Sequence, residues 1–164
     1  MLAAIAMVAA AQPSVQIDTS NWETYRNEAM GFEVKYPNSW HVRQARGTIE
    51  SVTVNETPQV GKANRAVQFI VQRMINPKGL SIRQWWNEQM RGKTPPASHQ
   101  FIDTTIGGRP AIRREYVGSL GRSFDFFSSL GKSDILTIAI SQPSSQKELD
   151  QTYEAVLATV KFIK

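Results

Sequence analysis

The chain has 164 residues, 19 Lys and Arg against 14 Asp and Glu, and no cysteine. That length suits one domain with a sizeable core, and the missing cysteine excludes disulfides, thiolate metal sites and cysteine nucleophiles. The net charge of +5 is spread along the chain with no Lys/Arg run longer than two, which argues against nucleic acid as a partner and for a dispersed basic surface.

Leu2 to Ala11 is an uninterrupted apolar run, too short for the ~20 residues a membrane helix needs. Small residues at Ala9 and Ala11 fit cleavage before Gln12, although no Lys or Arg precedes the run. The expected layout is a signal-peptide remnant over 1–11, a linker over 12–21 and a single domain over 22–164. Such a protein is exported, to the periplasm or outside the cell. The plainer alternative is an Ala-rich tail.

Ser20-Asn21-Trp22-Glu23 has the spacing of a capped helical turn. In Gly31–Trp40, Phe32, Val34 and Tyr36 alternate with Glu33 and Lys35, the period of a half-buried strand. Tyr36-Pro37-Asn38-Ser39 then fits a type I turn into a return strand from Trp40 to Gln44. Short strands follow at 51–54 and 66–73, separated by a loop carrying Pro58, Gly61 and Asn64.

Asn76-Pro77-Lys78-Gly79 breaks the second of these. Ser81 and Gln84 make a capping box for a helix whose apolar positions are Ile82, Trp85, Trp86 and Met90, with Gly92 at its end. After a proline-containing loop with His99, strands are expected at 101–106, 109–117, 122–130 and 135–141, with Gly107-Gly108 as a hairpin turn. Ser145 and Glu148 cap a last helix, whose stripe is Leu149, Tyr153, Val156, Leu157 and Val160. Phe162 and Ile163 close the chain as a short strand.

Many antiparallel strands with two separated helices read as α+β: an antiparallel sheet of about six strands with helices packed on its faces. Periodicity leaves open whether the helices share a face.

Trp22-x-x-Tyr25, Gly31-Phe32-x-Val34-x-Tyr36-Pro37-x-x-Trp40, Gly107-Gly108-Arg109-Pro110-Ala111, Tyr116 and the Val160-Lys161-Phe162 ending together resemble PsbP-like domains over about residues 20–164. The resemblance implies the Mog/PsbP-like fold, an α/β/α sandwich. It also implies a non-enzymatic role as a subunit or assembly helper of photosynthetic membranes, an envelope protein or a small binding domain. The chain departs from lipoprotein members in having no lipobox cysteine. Shared folds host many functions, so the role is an analogy.

Chemistry-bearing patterns are sparse. His99 and Asp103 are close in sequence, yet no Gly-x-Ser-x-Gly elbow offers a nucleophile. Gly131-Lys132-Ser133 imitates the end of a phosphate loop, but Phe126 stands where its first glycine belongs, and a hairpin turn explains it better. No metal motif or cofactor fingerprint is present.

The densest basic group is Arg109, Arg113, Arg114 and Arg122. As a surface, these would meet an acidic protein or anionic headgroups. In a regular strand, however, Arg113 and Arg114 point to opposite faces and pair with Glu115, Asp125 and other acids. The expected function is therefore a monomeric, non-enzymatic binding domain docking on a protein at or near a membrane, with those four arginines as its contact. The alternative is a small-ligand carrier using a cleft beside Trp85 and Trp86, whose plainer role is to cover a sheet face.

Overall fold

A computed structural model describes residues 17–45, 50–56, 68–94, 99–118, 121–141 and 148–163. The expected signal remnant, the Ser145 cap and the Pro58–Asn64 loop lie outside these residues.

The elements are β1 (Glu23–Asn27), β2 (Phe32–Tyr36), β3 (Trp40–Ala45), β4 (Glu50–Glu56), β5 (Gln68–Ile75), α1 (Ile82–Gln89), β6 (His99–Ile106), β7 (Arg109–Gly118), β8 (Gly121–Leu130), β9 (Asp134–Ser141), α2 (Glu148–Ala158) and β10 (Lys161–Phe162). They form two antiparallel sheets. One has three strands in the order β1-β2-β10; the other has seven, ordered β3-β4-β5-β9-β8-β7-β6. The α+β class holds, but the strand count exceeds the expected six.

Three local expectations change. Glu23 opens a strand rather than ending a helical turn, because Tyr25 and its neighbours pair along β2, Tyr25 opposite Val34. The stretch from Phe32 to Gln44 is not a hairpin. β1 and β10 occupy both edges of β2, so β3 has no edge to pair with and joins the larger sheet through β4. The turn between them is also shifted by one residue: the Trp40 N–H donates to the Pro37 carbonyl at 2.9 Å.

Alternation in the central strands sorts side chains between two cores. Phe69 and Val71, Phe124 and Phe126, and Leu136, Ile138 and Ile140 join Phe32, Val34 and Tyr36 of the small sheet and Tyr153, Val156 and Leu157 of α2 in the larger core. Trp40 and Tyr153 meet with ring centroids 5.2 Å apart, which locks α2 over β3. On the other side, Phe127 and Ile135 pack under Trp85 of α1, with Met74, Leu80, Ile82 and Trp86 around them. The two helices therefore cover opposite faces of the seven-stranded sheet.

α1 starts where expected: the Ser81 hydroxyl and the Gln84 side chain make both reciprocal bonds of the capping box. The β6–β7 hairpin turns on Gly107 and Gly108 at φ of 55° and 75°, left-handed values that suit a two-residue type I′ loop and that side chains disfavour.

Candidate binding surface

Register separates the four arginines. Arg109 begins β7 opposite Ile106, whereas Arg122 pairs with Val117 near the other end of that strand. At about 3.3 Å per residue, these positions stand ~26 Å apart. The Arg122 side chain lies outside the described ones. Arg109 is half-buried, its guanidinium 4.2 Å from the centre of the Phe162 ring.

Arg113 and Arg114 lie between them on opposite faces. Arg113 is on the α2 side, ion-paired to Glu115 at 2.8 Å and lying 4.5 Å from the Phe124 ring centre. Arg114 is on the α1 side and buried, bonded to the Asp125 carboxylate directly across the β7–β8 ladder. Its guanidinium lies 4.1 Å from the ring centres of both Trp86 and Tyr116. Burial pushes the Asp125 carboxyl above its ordinary range, while Arg114 and Tyr116 pull it back. Burial also raises the Tyr116 phenol. The geometry thus does not gather the four arginines on one surface.

Trp85 is buried, and its indole N–H donates to the Ile75 carbonyl at 3.1 Å. Trp86 is half-buried, wedged against Phe101 and Phe127 at 5.9 and 5.7 Å between centroids. Both rings cover the sheet.

A cleft of about 510 Å³ opens on the other face, between the β6–β7 hairpin and α2. Thr104, Ile106 and Gly107 form one wall, Phe126 and Arg113 the base, and Glu154, Leu157 and Val160 the opposite wall. Beside it, β6 is an edge strand of the seven-stranded sheet, with His99, Gln100, Ile102, Asp103 and Thr105 exposed along it.

No family model matches the chain, and no curated protein does. Solved structures do. Cyanobacterial PsbP (CyanoP) from Synechocystis sp. PCC 6803 aligns over 93% of this chain and 98% of its own, at 13% identity and a TM-score of 0.57. The fold is PsbP-like. LpqN of Mycobacterium tuberculosis, described as involved in cell envelope biogenesis, aligns over 88% of this chain and 87% of its own, at 12% identity and a TM-score of 0.54. A Bacteroides thetaiotaomicron protein matches at 17% identity and a TM-score of 0.50, and this chain spans about half its length, 48%.

Within this PsbP-like frame, the structure also relocates His99. It belongs to β6 rather than to a loop, and Asp103 stands four residues further along the same strand, ~13 Å away. The Asp103 carboxylate is bonded to Arg83 at 3.1 Å, so a His99–Asp103 dyad does not form. Among the described residues, no group of three or more His, Asp and Glu is placed to hold a metal, and no helix is long and apolar enough to cross a membrane.

Two features escaped the sequence reading. Asn76 passes for an ordinary turn residue, yet it is buried: its side chain donates to the Leu80 carbonyl at 2.9 Å and accepts from the Leu80 N–H at 3.1 Å. The Asn-Pro-Lys-Gly pattern was the available signal. The α2 cleft depends on residues far apart in the chain, and no local pattern announces it.

Proposed function

We propose that this chain is an exported accessory domain without catalysis of its own, which docks through the β6 edge of its large sheet onto a protein at or near a membrane. The observation that carries this reading is the edge itself. β6 is eight residues long, and among the described residues it pairs only with β7, so no described strand lies along its outer edge. Such an edge is a ready template for an added strand. The PsbP-like fold supports the reading, since LpqN, which shares it, is described as involved in envelope biogenesis. Arg109, at the turn that ends this edge, is the arginine best placed to add charge complementarity.

Position-specific photo-crosslinking in envelope membranes tests it. A crosslinker in place of Gln100 on β6 is expected to capture one membrane-associated protein. A crosslinker in place of Arg43 on the β3 edge is expected to capture none. Arg109→Glu should reduce capture, more so at low salt. Equal capture from both edges, or none from β6, overturns the docking edge.

A small-ligand carrier is the second reading. The Trp85/Trp86 helix is packed onto the sheet, so the observation favouring a ligand is the cleft on the α2 face.

A further inference from the structure

We propose that the cleft between the β6–β7 hairpin and α2 is a binding site for a small hydroxylated carboxylate, of the size of a sugar acid, whose carboxylate takes the place of Glu154 beside Arg113. The proposal gives the second, ligand-carrier reading its ligand class and is independent of edge docking.

The cleft is preformed. Its volume of about 510 Å³ falls in the ~300–1,000 Å³ range of small-molecule sites. One end is fixed by a close approach of backbone. A Cβ placed on Gly107 would stand 2.9 Å from both the Val160 carbonyl oxygen and the Phe162 ring. The hairpin turn and the end of α2 are therefore pressed together there.

Polar groups make up more of the exposed lining than apolar ones. Thr104, the Gly107-Gly108 turn, Arg113 and Glu154 supply them. A body rich in hydroxyls can exchange hydrogen bonds with water for hydrogen bonds with these groups, which a hydrocarbon body cannot.

Hydrogen-bonding capacity selects the head group. Two arginines and two acids stand at the cleft, so the sum of charge favours neither sign. The arginines, however, have donors to spare. Arg113 is ion-paired to Glu115 at 2.8 Å, but its buried Nε has no partner, although a guanidinium carries five N–H donors. A buried donor without an acceptor is costly, and it marks a place where a further acceptor is wanted. The Phe124 ring, its centre 4.5 Å from the guanidinium, holds that group at the base of the cleft. Arg109, at the same turn, stacks on Phe162 and has no acid paired with it among the described residues, so it adds to the attraction for an anion.

Glu154 marks where the ligand's carboxylate sits. It stands 3.9 Å from the Arg113 Nη1, beyond hydrogen-bonding reach, and its side chain is 67% exposed. An exposed pair at that distance contributes little, so an incoming carboxylate displaces Glu154 at small cost. A planar carboxylate matches the guanidinium edge and can form the short, charge-assisted bonds that Glu154 does not. The Thr104 hydroxyl on the facing wall is a further donor.

Amide NMR titration of the purified protein with glucuronate, glucose and glucosamine tests the proposal, since the three share one body and differ in charge. Glucuronate is expected to shift the amides of 104–108 and 157–160 and to bind about tenfold more tightly than glucose, with glucosamine no tighter than glucose. Glu154→Gln removes the competing carboxylate and should tighten glucuronate about threefold while leaving glucose unchanged. Arg113→Gln should erase the advantage of glucuronate. Should the Arg113 variant fail to fold, Glu154→Gln alone decides, because that side chain faces solvent. Glucosamine or glucose binding as tightly as glucuronate overturns the carboxylate selection and leaves a ligand carrier standing. Glucuronate binding that Glu154→Gln leaves unchanged or weakens overturns the exchange. Unmoved cleft amides with all three probes overturn the site and the carrier reading together. None of these results bears on edge docking, since no partner is present.

Discussion

The two faces of the seven-stranded sheet solve the same packing problem with different chemistry. On the α2 face, aliphatic and aromatic side chains from both sheets and the helix close into one continuous apolar core, with Phe32, Phe69, Val71 and Val156 fully buried. On the α1 face, the apolar cluster is small, and next to it lies a buried ion pair, Arg114 with Asp125, roofed by Trp86 and Tyr116. The first face is held by shape and area. The second depends on two opposite charges arriving together, since either one alone in that environment is costly. The eight-residue α1 meets this pair through Trp86, whose ring centre lies 4.1 Å from the Arg114 guanidinium.

Single truncations should hurt both faces about equally, and paired ones should separate them. Phe69→Ala on the α2 face is expected to lower stability by about 3–5 kcal/mol, since that ring is fully buried. Asp125→Ala should cost a similar ~3–5 kcal/mol by leaving the Arg114 guanidinium buried without its counter-charge. The double replacement Arg114→Met/Asp125→Leu should return to within about 1 kcal/mol of the parent or exceed it, because the desolvation cost leaves with the charges. Urea denaturation of the three variants checks this. A double variant as unstable as Asp125→Ala would show that the charges themselves hold the α1 face.

The next test concerns how α1 is attached. Asn76→Ala removes the two bonds from the buried Asn76 side chain to the Leu80 backbone and leaves that N–H and carbonyl unpaired at a part-buried position, for an expected loss of ~1–3 kcal/mol. Ser81→Ala removes only an exposed cap and should cost ~1 kcal/mol. Native-state hydrogen exchange should show both losses as earlier opening of α1, with the α2-face strands protected as before. Global loss of protection in Ser81→Ala would mean that the faces unfold as one unit.

How far these faces are legible in the sequence depends on the range of the signal. The α1 capping box, the Gly107-Gly108 turn and the meander from β7 to β9 follow from neighbours along the chain, and local pattern sufficed for each. The β2–β3 connection did not, because Tyr36-Pro37-Asn38-Ser39 has turn chemistry whether or not the flanking strands pair. Pairing was decided instead by β10, which arrives more than a hundred residues later to take the free edge of β2. Period-two alternation placed Arg113 and Arg114 on opposite faces. It could not show that Arg109, at the start of β7, and Arg122, on β8 opposite Val117, fall at opposite ends of the β7–β8 hairpin, which follows from its register. Nor could it show that Arg114 is roofed by a helix thirty residues upstream. The candidate cleft was still less legible: it lies where two connections meet, and each of its walls reads as ordinary core.

The smallest effect belongs to the α2 face, at the end of β2. The Tyr36 hydroxyl donates to the Glu23 carboxylate at 2.9 Å. Burial pushes the Tyr36 phenol up to about 12, and the bond to Glu23 and the negative charge of that carboxylate add to the shift. In the unfolded chain the same phenol ionises near its ordinary value of ~10. Between those values the unfolded chain has released a proton that the folded chain keeps, so stability falls as pH rises. The contribution is complete below about 10 and is lost as pH passes through about 12. Tyr36→Phe should therefore cost ~1 kcal/mol at neutral pH through the lost hydrogen bond, yet flatten the alkaline slope. Urea midpoints taken across that window, with tyrosinate absorbance followed in parallel, read both effects. If the variant keeps the parental slope, the alkaline sensitivity lies with Tyr116 on the opposite face, whose phenol burial also raises, and the small sheet is indifferent to it.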